Sequence, residues 1–143
     1  MTIVREIKRI EFLEVVNSYI GTPVVHRGRL PHIGLDCVGV PICALRSLGM
    51  RIDEPPYYGK IPSQAQLAEG LLVYCDQMPP EERVPGDLLQ VYAGREARHV
   101  MVYTGRNDFG QQLVVHAWGR NAMVQRALLT DRVLCCWSVR GMR

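Results

Sequence analysis

The chain has 143 residues, a length that predicts one domain over residues 1–143. Hydrophobic residues make up 48% and charged residues 22%, values that exclude a disordered chain, a collagen-like repeat and a coiled coil. The net charge of +3 is too small to indicate nucleic-acid binding, and no apolar run is long enough to insert into a membrane as a span. Charges interrupt the apolar stretch at the N-terminus, so we expect no signal peptide there.

The cysteines number five, and no two of them form a C-x-x-C pair. They are Cys37, Cys43, Cys75, Cys135 and Cys136. An odd number without close pairs argues against a disulfide framework and against a ribbon-type zinc site. Free thiols are typical of a protein made in the cytosol.

The first half of the chain predicts three helices. Apolar residues at steps of three and four predict the first, which Gly21 and Pro23 end. Its stripe, expected to pack on the core, comprises Ile3, Ile7, Ile10, Leu13, Val16 and Ile20. Residues 21–36 are rich in glycine and proline and predict a loop without regular structure. A buried helix is predicted from about Cys37 to Leu48, capped by Asp36, and a third over residues 63–77, capped by Ser63.

The second half predicts strands, because short runs rich in valine, leucine and aromatics alternate with turn residues. The runs are Leu88–Tyr92, Val100–Thr104, Leu113–Trp118, Met123–Leu128 and Val133–Val139. Helices followed by a mostly antiparallel sheet predict an α+β fold.

Cys37 is a candidate nucleophile because the chain places it in the first turn of an apolar helix. Unpaired N–H groups and the helix dipole stabilise an anion there, so we expect a lowered thiol pKa and a reactive thiolate. The alternative is an inert buried cysteine, the common fate of a free thiol.

Two histidines are candidates for the base that such a nucleophile needs. If the hairpin between them is centred on Asn107-Asp108, His99 and His116 face each other directly, with Cβ atoms about 4.5–5.5 Å apart. One imidazole would then contact the thiol while the other orients it, as in a catalytic triad. Two solvated polar residues are one alternative. Zinc bound by both histidines and the thiolate is another, although no close-spaced ligand pair is present.

A series of short motifs resembles the NlpC/p60 family of papain-like cysteine peptidases, over roughly residues 5–140, and in particular its small phage and prophage tail versions. In chain order the motifs are Gly21-Thr22-Pro23, His26-Arg27-Gly28-Arg29, Leu35-Asp36-Cys37-Val38-Gly39, Pro85-Gly86-Asp87-Leu88, Arg98-His99-Val100 and Val115-His116-Ala117. The resemblance implies a papain-like fold in which N-terminal helices pack on a mostly antiparallel sheet of about five to six strands.

The resemblance also implies roles for three residues. Cys37 matches the family's nucleophile, His99 its general base and His116 the polar residue that orients the base. Members of this kind cleave peptide bonds in the stem peptides of bacterial cell walls, commonly between D-glutamate and a diamino acid, without a metal or another cofactor. The backbone N–H of Cys37 and one further donor would hold the oxyanion.

The chain departs from the family pattern at two positions near the nucleophile. Val24 and Val38 stand where many bacterial members carry tyrosine and serine, which help to hold the amino end of the substrate together with the aspartate that matches Asp36. An apolar wall cannot stabilise an ammonium group, so we expect cleavage of intact or cross-linked stems. His26 and Arg29 are further candidates for substrate binding, through substrate carboxylates, the alternative being solvated loop charges.

The motifs resemble tail versions of the family, and we expect neither a signal peptide nor a wall-binding module in this sequence. Together these points predict a phage tail-tip component with tail-tip or hub proteins as partners. Such a protein would be made in the bacterial cytoplasm and carried by the particle to the periplasm or cell wall. The segment Pro55-Pro56-Tyr57-Tyr58 would dock on tail proteins or, alternatively, fold over the core. Two other functions stay open: a structural tail-assembly protein with little or no activity, and a thiol acyltransferase or amidase acting on lipids.

Overall fold

Within the described residues, helices precede most of a large antiparallel sheet. A computed structural model of the protein describes residues 6–118 and 122–143. The helices are α1 (Arg9–Ser18), α2 (Gly39–Ser47) and α3 (Gln64–Tyr74), and a short 3-10 helix covers Pro80–Glu82. The strands are β1 (Arg29–Leu30), β2 (Gly34–Leu35), β3 (Cys75–Met78), β4 (Leu88–Ala93), β5 (Glu96–Arg106), β6 (Gln112–Trp118), β7 (Met123–Leu128) and β8 (Val133–Val139).

The large sheet has the order β3-β8-β4-β5-β6-β7, and every neighbouring pair is antiparallel. The prediction of an α+β fold with five to six strands is therefore confirmed. The two short strands β1 and β2 pair separately, so the prediction of an irregular loop over residues 21–36 was wrong at that point. None of the helices in the described ranges is long and apolar enough to cross a membrane.

The third predicted helix begins where expected and ends earlier. Ser63 accepts a hydrogen bond from the Gln66 backbone, and the Gln66 side chain accepts one from Ser63, which completes a capping box. The helix ends at Tyr74 instead of residue 77, because residues from Cys75 onward are extended and pair with β8. Pairing with an open sheet edge outweighs the local helix propensity of these residues.

The first helix is shorter than predicted, and only part of the predicted stripe is buried. Ile7 pairs with Met142 instead, and its backbone exchanges hydrogen bonds with residues near the C-terminus, so the helix begins only at Arg9. Val16 is buried as predicted, and so is Phe12, which was not part of the stripe. The predicted core residues Ile10 and Ile20 are exposed, at 64% and 38%. Ile3, where the predicted stripe began, lies outside the described residues.

The Arg9 guanidinium joins α1 to two strands. Nη1 donates to the Pro85 carbonyl at 3.0 Å and to the Asp87 carboxylate at 2.8 Å, beside the start of β4. Nη2 donates to the Ser138 hydroxyl of β8 at 2.9 Å. One side chain therefore fixes the position of α1 against the sheet.

Both faces of the sheet are buried. The larger cluster lies between the sheet and the helices and combines side chains from both. It contains Phe12, Val40, Leu45, Leu88, Val100, Val102, Val115 and Trp137. The smaller cluster contains Leu89, Val91, Met101, Tyr103, Val114 and Cys136. Because successive strand residues point to opposite faces, each of the central strands contributes to both clusters. These central strands form the rigid base on which the candidate site is built.

Candidate active site

The chain enters α2 through Asp36, which performs the predicted capping. Its Oδ1 accepts the Gly39 backbone N–H at 2.8 Å, and its carbonyl accepts the N–H of Val40 at 3.2 Å. The regular helix begins at Gly39, two residues later than predicted, but the capping hydrogen bonds already hold Cys37 in the turn that leads into it. Cys37 therefore occupies the N-terminal end of an apolar helix.

Two glycines let the preceding loop press against this helix start. A Cβ atom on Gly39 would lie 2.5 Å from the Gly28 carbonyl oxygen, and one on Gly28 would lie 2.5 Å from the carbonyl oxygen of Gly34. No side chain fits at these separations without displacing backbone. The loop that carries residues 26–29 is consequently fixed in position relative to Cys37.

The Cys37 sulfur lies where this turn meets β5. The thiol is half-buried, and the backbone N–H groups of Val38 and Val100 are directed at the sulfur. Val100 directly follows His99 in β5. The first half of the chain thus delivers the thiol to the strand segment that carries the candidate base, although no hydrogen bond joins Sγ to an imidazole among the described residues.

The prediction of a lowered thiol pKa was wrong. Burial and the nearby Asp36 carboxylate raise the pKa of Cys37 to about 12. The N–H groups of Val38 and Val100 and the Arg29 guanidinium act in the opposite direction but more weakly. The helix terminus therefore holds a neutral thiol at neutral pH, because desolvation of a thiolate outweighs its stabilisation by backbone dipoles.

His99 and His116 are in direct contact. Nε2 of His99 lies 2.8 Å from Nδ1 of His116, and the ring centroids are 5.1 Å apart. Burial and the neighbouring His116 lower the pKa of His99 to about 3. Burial also lowers the pKa of His116, while Asp131 acts against that shift. Both rings are neutral at pH 7, and the contact occupies Nε2 of His99, which leaves Nδ1 as the other nitrogen of that ring.

The two histidines meet through a different register from the one predicted. Val102 pairs with Val115 and Tyr103 with Val114, so continuing the ladder places His116 opposite Met101. Two features set this register. The Asn107 side chain accepts hydrogen bonds from backbone N–H groups inside a wider turn, and the pairing shifts between Tyr103 and Gly105. A displacement of two residues keeps both imidazoles on one face, and they touch diagonally.

Trp118 was not predicted as part of this site. Its ring lies edge-on to His99 with centroids 5.2 Å apart, and it stacks on His116 at 5.8 Å with an interplanar angle of 25°. Gln125, which pairs with His116 across the ladder, places its side-chain amide 3.4 Å from Nε2 of that ring. Trp118 follows His116 by two residues in the same strand, and residues at this spacing lie on the same face of a sheet. The sequence was therefore sufficient to predict that Trp118 lies beside His116.

The Asp36 carboxylate is occupied by partners within the chain. Besides Gly39 it accepts hydrogen bonds from the Arg27 backbone, the Arg29 guanidinium and the Tyr58 hydroxyl. Arg29 in turn also pairs with Glu54, at 2.8 Å. Two of the three residues predicted to bind substrate, Asp36 and Arg29, therefore hold the site together internally.

The neighbouring loop residues have unpaired donors instead. Nε2 of His26 and Nη1 of Arg27 are buried and have no hydrogen-bond partner among residues 6–118 and 122–143. Both side chains pack on the rings of Tyr57 and Tyr58. Tyr58 is 6% exposed and folds over the core, as the alternative interpretation of its segment has it, whereas Tyr57 is 75% exposed. Arg27 belongs to the motif of residues 26–29 but was not predicted to bind substrate.

An apolar cavity of about 420 Å³ adjoins the site, between α2, α3 and the segment that joins them. Val38 and Val100, whose N–H groups face the Cys37 sulfur, form part of its wall. Within residues 6–118 and 122–143, no group of three or more His, Cys, Asp or Glu side chains is placed to hold a metal ion.

Several solved structures share this fold. The NlpC/p60 domain of the peptidoglycan hydrolase SagA matches with a TM-score of 0.59 and 22% identity, covering 91% of this chain and 97% of that one. A Staphylococcus aureus subsp. aureus Mu50 protein described as similar to a lipoprotein of the NLP/P60 family matches with a TM-score of 0.63 and 17% identity, covering 92% of this chain and 41% of that one. No family model matches the sequence, and no curated protein sequence matches it either. The chain thus has the papain-like fold of NlpC/p60 domains.

Proposed function

We propose that this protein is a cysteine peptidase of the NlpC/p60 type that hydrolyses peptide bonds in the stem peptides of bacterial cell walls. One observation carries the proposal. The hydrogen-bonded pair of His99 and His116 lies in the strand segment whose next residue directs its N–H at the Cys37 sulfur. The fold is shared with the NlpC/p60 domain of a peptidoglycan hydrolase.

The chemistry begins with a neutral thiol and a neutral imidazole. Nδ1 of His99 takes the Cys37 proton as the sulfur attacks the scissile carbonyl, and the hydrogen bond to His116 keeps the ring in the orientation and tautomer that this transfer needs. The resulting imidazolium gives the proton to the leaving amine, which departs and leaves an acyl thioester. His99 then activates a water molecule that hydrolyses the thioester and restores the thiol.

The negative charge on the tetrahedral oxygen develops beside the N-terminal end of α2. The backbone N–H of Cys37 has no hydrogen-bond partner among the described residues and is the first donor to that oxygen. The dipole of α2 acts in the same direction. The charge therefore forms where backbone donors are already in place.

The substrates proposed are intact or cross-linked stems. The Asp36 carboxylate already accepts four hydrogen bonds from within the chain, and the side chains of Val24 and Val38 are apolar. A free ammonium group of the substrate would therefore not be stabilised beside Asp36. Cleavage rates on a free tripeptide and on whole sacculi test the proposal. Faster cleavage of sacculi at equal bond concentration is expected, and a strong preference for the free tripeptide would contradict it.

Replacement of Cys37 by alanine tests the enzyme itself. Wild-type protein is incubated with purified cell walls, and the released peptides are identified by mass spectrometry. Cys37→Ala is expected to reduce release by several orders of magnitude, as removal of a nucleophile does in other triads. Cys75→Ala, a matched change of a buried cysteine in β3, should retain activity. Equal release by both variants would show that Cys37 is not the nucleophile, whereas no release by the wild-type protein would favour the structural tail-assembly role.

We further propose that the protein is made in the cytoplasm and acts at the wall as part of a phage or phage-derived tail. This rests on the resemblance of its motifs to tail versions of the family. The exposed ring of Tyr57 is the proposed contact with a tail-tip protein. Mass spectrometry of purified particles should find the protein, and Tyr57→Ala should lower the amount incorporated. Its absence from particles would refute the tail role and leave the hydrolase proposal intact.

A second candidate function, acyl transfer from a lipid through the same thiol, is favoured by the apolar cavity. Its volume of about 420 Å³ and the position of Val38 and Val100 in its wall would suit a hydrocarbon chain bound near Cys37. Thioester formation with long-chain and short-chain acyl esters, compared by mass spectrometry, tests this candidate. A clear preference for long chains would favour it over the peptidase.

A further inference from the structure

We infer that His26 and Arg27 form a subsite for a carboxylate group of the substrate, beneath the ring of Tyr57. The inference rests on the proposed function, because it concerns what the same site recognises. The sequence predicted His26 and Arg29 as the residues that bind a substrate carboxylate. The inference keeps His26 and replaces Arg29 by Arg27, because Arg27 has an unpaired donor among the described residues.

The first observation is the unpaired state of the two donors. Nε2 of His26 and Nη1 of Arg27 are both buried, and neither has a hydrogen-bond partner in the part of the chain that the structure describes. A buried polar nitrogen without a partner is costly, and native structures contain few of them. Two on adjacent residues, one of them on a guanidinium, indicate a position that a ligand completes.

The second observation is the charge of the neighbouring side chains. Arg29 is neutralised by Asp36 at 2.9 Å and by Glu54 at 2.8 Å. No carboxylate lies within ion-pair distance of Arg27 in the described part of the chain. The charge of Arg27 is therefore the one in this loop still available to an anion, and a guanidinium suits the two oxygens of a carboxylate.

The third observation is the aromatic frame. The Arg27 guanidinium carbon lies 5.1 Å from the ring centre of Tyr57 and 5.2 Å from that of Tyr58. The His26 ring lies 6.4 Å and 5.6 Å from the same two centres. Tyr58 forms the buried inner wall, while Tyr57 is exposed and forms the solvent side of the frame, so a ligand would approach the two donors past this ring.

The subsite is held at a fixed position relative to the nucleophile. The Arg27 backbone N–H donates to Oδ2 of Asp36 at 2.9 Å, and Asp36 directly precedes Cys37. Arg27 adopts a left-handed backbone conformation with φ of 58°, which few non-glycine residues adopt. The close approach of Gly28 to Gly39 fixes the same loop from its other side. A carboxylate bound here would therefore position a stem peptide relative to the sulfur.

A D-glutamate residue linked through its γ-carboxyl group retains a free α-carboxylate. In the corresponding α-amide this carboxylate is replaced by a neutral amide, and the rest of the peptide is the same. Both forms of one stem tetrapeptide are titrated into the Cys37→Ala protein, which binds without cleaving, and the affinities are measured by calorimetry. The acid should bind about 10- to 100-fold more tightly than the amide, the range expected for a charge-assisted pair. Arg27→Met added to Cys37→Ala should remove this preference.

Arg51→Met is the matched control, because it removes the same charge from a side chain that is 93% exposed. It should leave the preference for the acid unchanged. His26→Phe keeps the ring packing and removes the nitrogens, so it should reduce the preference in part. Equal binding of acid and amide by the Cys37→Ala protein, or an undiminished preference after Arg27→Met, would overturn the inference.

Glutarate, a small dicarboxylate, separates failure of this inference from failure of the proposed function. In the wild-type protein it should shift the NMR signals of the His26 ring and the Arg27 side chain, and it should not do so after Arg27→Met. If glutarate shifts these signals and no cell-wall peptide is hydrolysed, the subsite stands and the proposed activity fails. If peptides are hydrolysed without any preference for the acid and glutarate shifts nothing, the activity stands and the subsite fails.

Discussion

Nε2 of His99 lies 2.8 Å from Nδ1 of His116, and in the proposed mechanism this contact leaves Nδ1 of His99 to act on Cys37. With Nε2 occupied, Nδ1 is the free position of the ring. A proton accepted at Nδ1 yields an imidazolium whose Nε2–H donates to His116, so the second ring stabilises the charge that the reaction creates.

Removal of the second imidazole should impair the chemical step. His116→Ala should lower kcat by about 10- to 100-fold with little change in KM, the typical effect of losing the partner that orients a functional histidine. His116→Asn retains a polar side chain and should recover part of the rate. Steady-state kinetics on a soluble stem peptide measure both effects. His32→Asn, at an exposed histidine, is the control, and wild-type kinetics of His116→Ala would contradict the orienting role.

Acid should destabilise the fold through the same pair. The pKa of His99 is about 3 in the folded protein, below its ordinary value of 6.5. The unfolded chain therefore binds this proton first as the pH falls, so stability is fully present above pH 6.5 and is lost progressively towards pH 3. Urea midpoints measured across this range should fall, and His99→Gln should flatten the curve. A wild-type midpoint that is constant between these pH values would contradict the burial of a neutral imidazole.

The Cys37 thiol should react slowly with iodoacetamide at neutral pH. Because its pKa is about 12, the alkylation rate should rise by about tenfold per pH unit above 7 and show no plateau near neutrality. The labelled position is mapped by mass spectrometry after short exposure. The denatured chain, in which burial is absent, should react faster at pH 8. A plateau between pH 6 and 8 would indicate a thiolate–imidazolium pair in the resting enzyme.

The Asp36 carboxylate should contribute strongly to stability. Asp36→Ala removes the acceptor of four hydrogen bonds and leaves the largely buried Arg29 guanidinium with Glu54 as its one carboxylate partner among the described residues, so we expect a loss of about 3–5 kcal/mol. Tyr58→Phe removes one hydrogen bond to the same carboxylate and should cost about 1–3 kcal/mol. Urea unfolding of both variants and of the double variant measures their coupling. Additive losses would show that the two contacts act independently.

Two helical glycines should respond oppositely to alanine. Gly39→Ala places a Cβ 2.5 Å from the Gly28 carbonyl oxygen and should destabilise the protein by about 1–3 kcal/mol, with reduced activity because the loop moves. Gly70→Ala, in α3, meets nothing within 4 Å and should stabilise the protein by about 0.5–1 kcal/mol. Thermal unfolding compares the two, and equal effects would contradict the close packing at Gly39.

The sequence predicted those features that depend on local pattern. The strands Met123–Leu128 and Val133–Val139 have the predicted bounds, and the Ser63 cap is present. Alternation of apolar residues marks a strand within its own few residues. The edge strand β3 was missed because its extended form depends on β8, which lies some 60 positions away in the chain.

Features of the site that depend on desolvation or on distant partners were not predictable. A helix N-terminus favours an anion in any sequence, but the extent to which Cys37 is shielded from water follows from packing against β5. Similarly, Arg27 and Arg29 are two arginines of one motif, and the sequence alone does not distinguish their roles. Their difference arises because Asp36 and Glu54 surround one guanidinium and leave the other.

The Arg9 side chain has a consequence for the order of assembly. Its partners stand 76, 78 and 129 positions further along the chain. During synthesis α1 is complete long before the last strand emerges, and contacts across such separations form slowly. The first helix can pack on α2 as soon as that helix has formed, but the Arg9 guanidinium finds its partners only once β4 and β8 are in place, so α1 is fixed against the sheet late in folding.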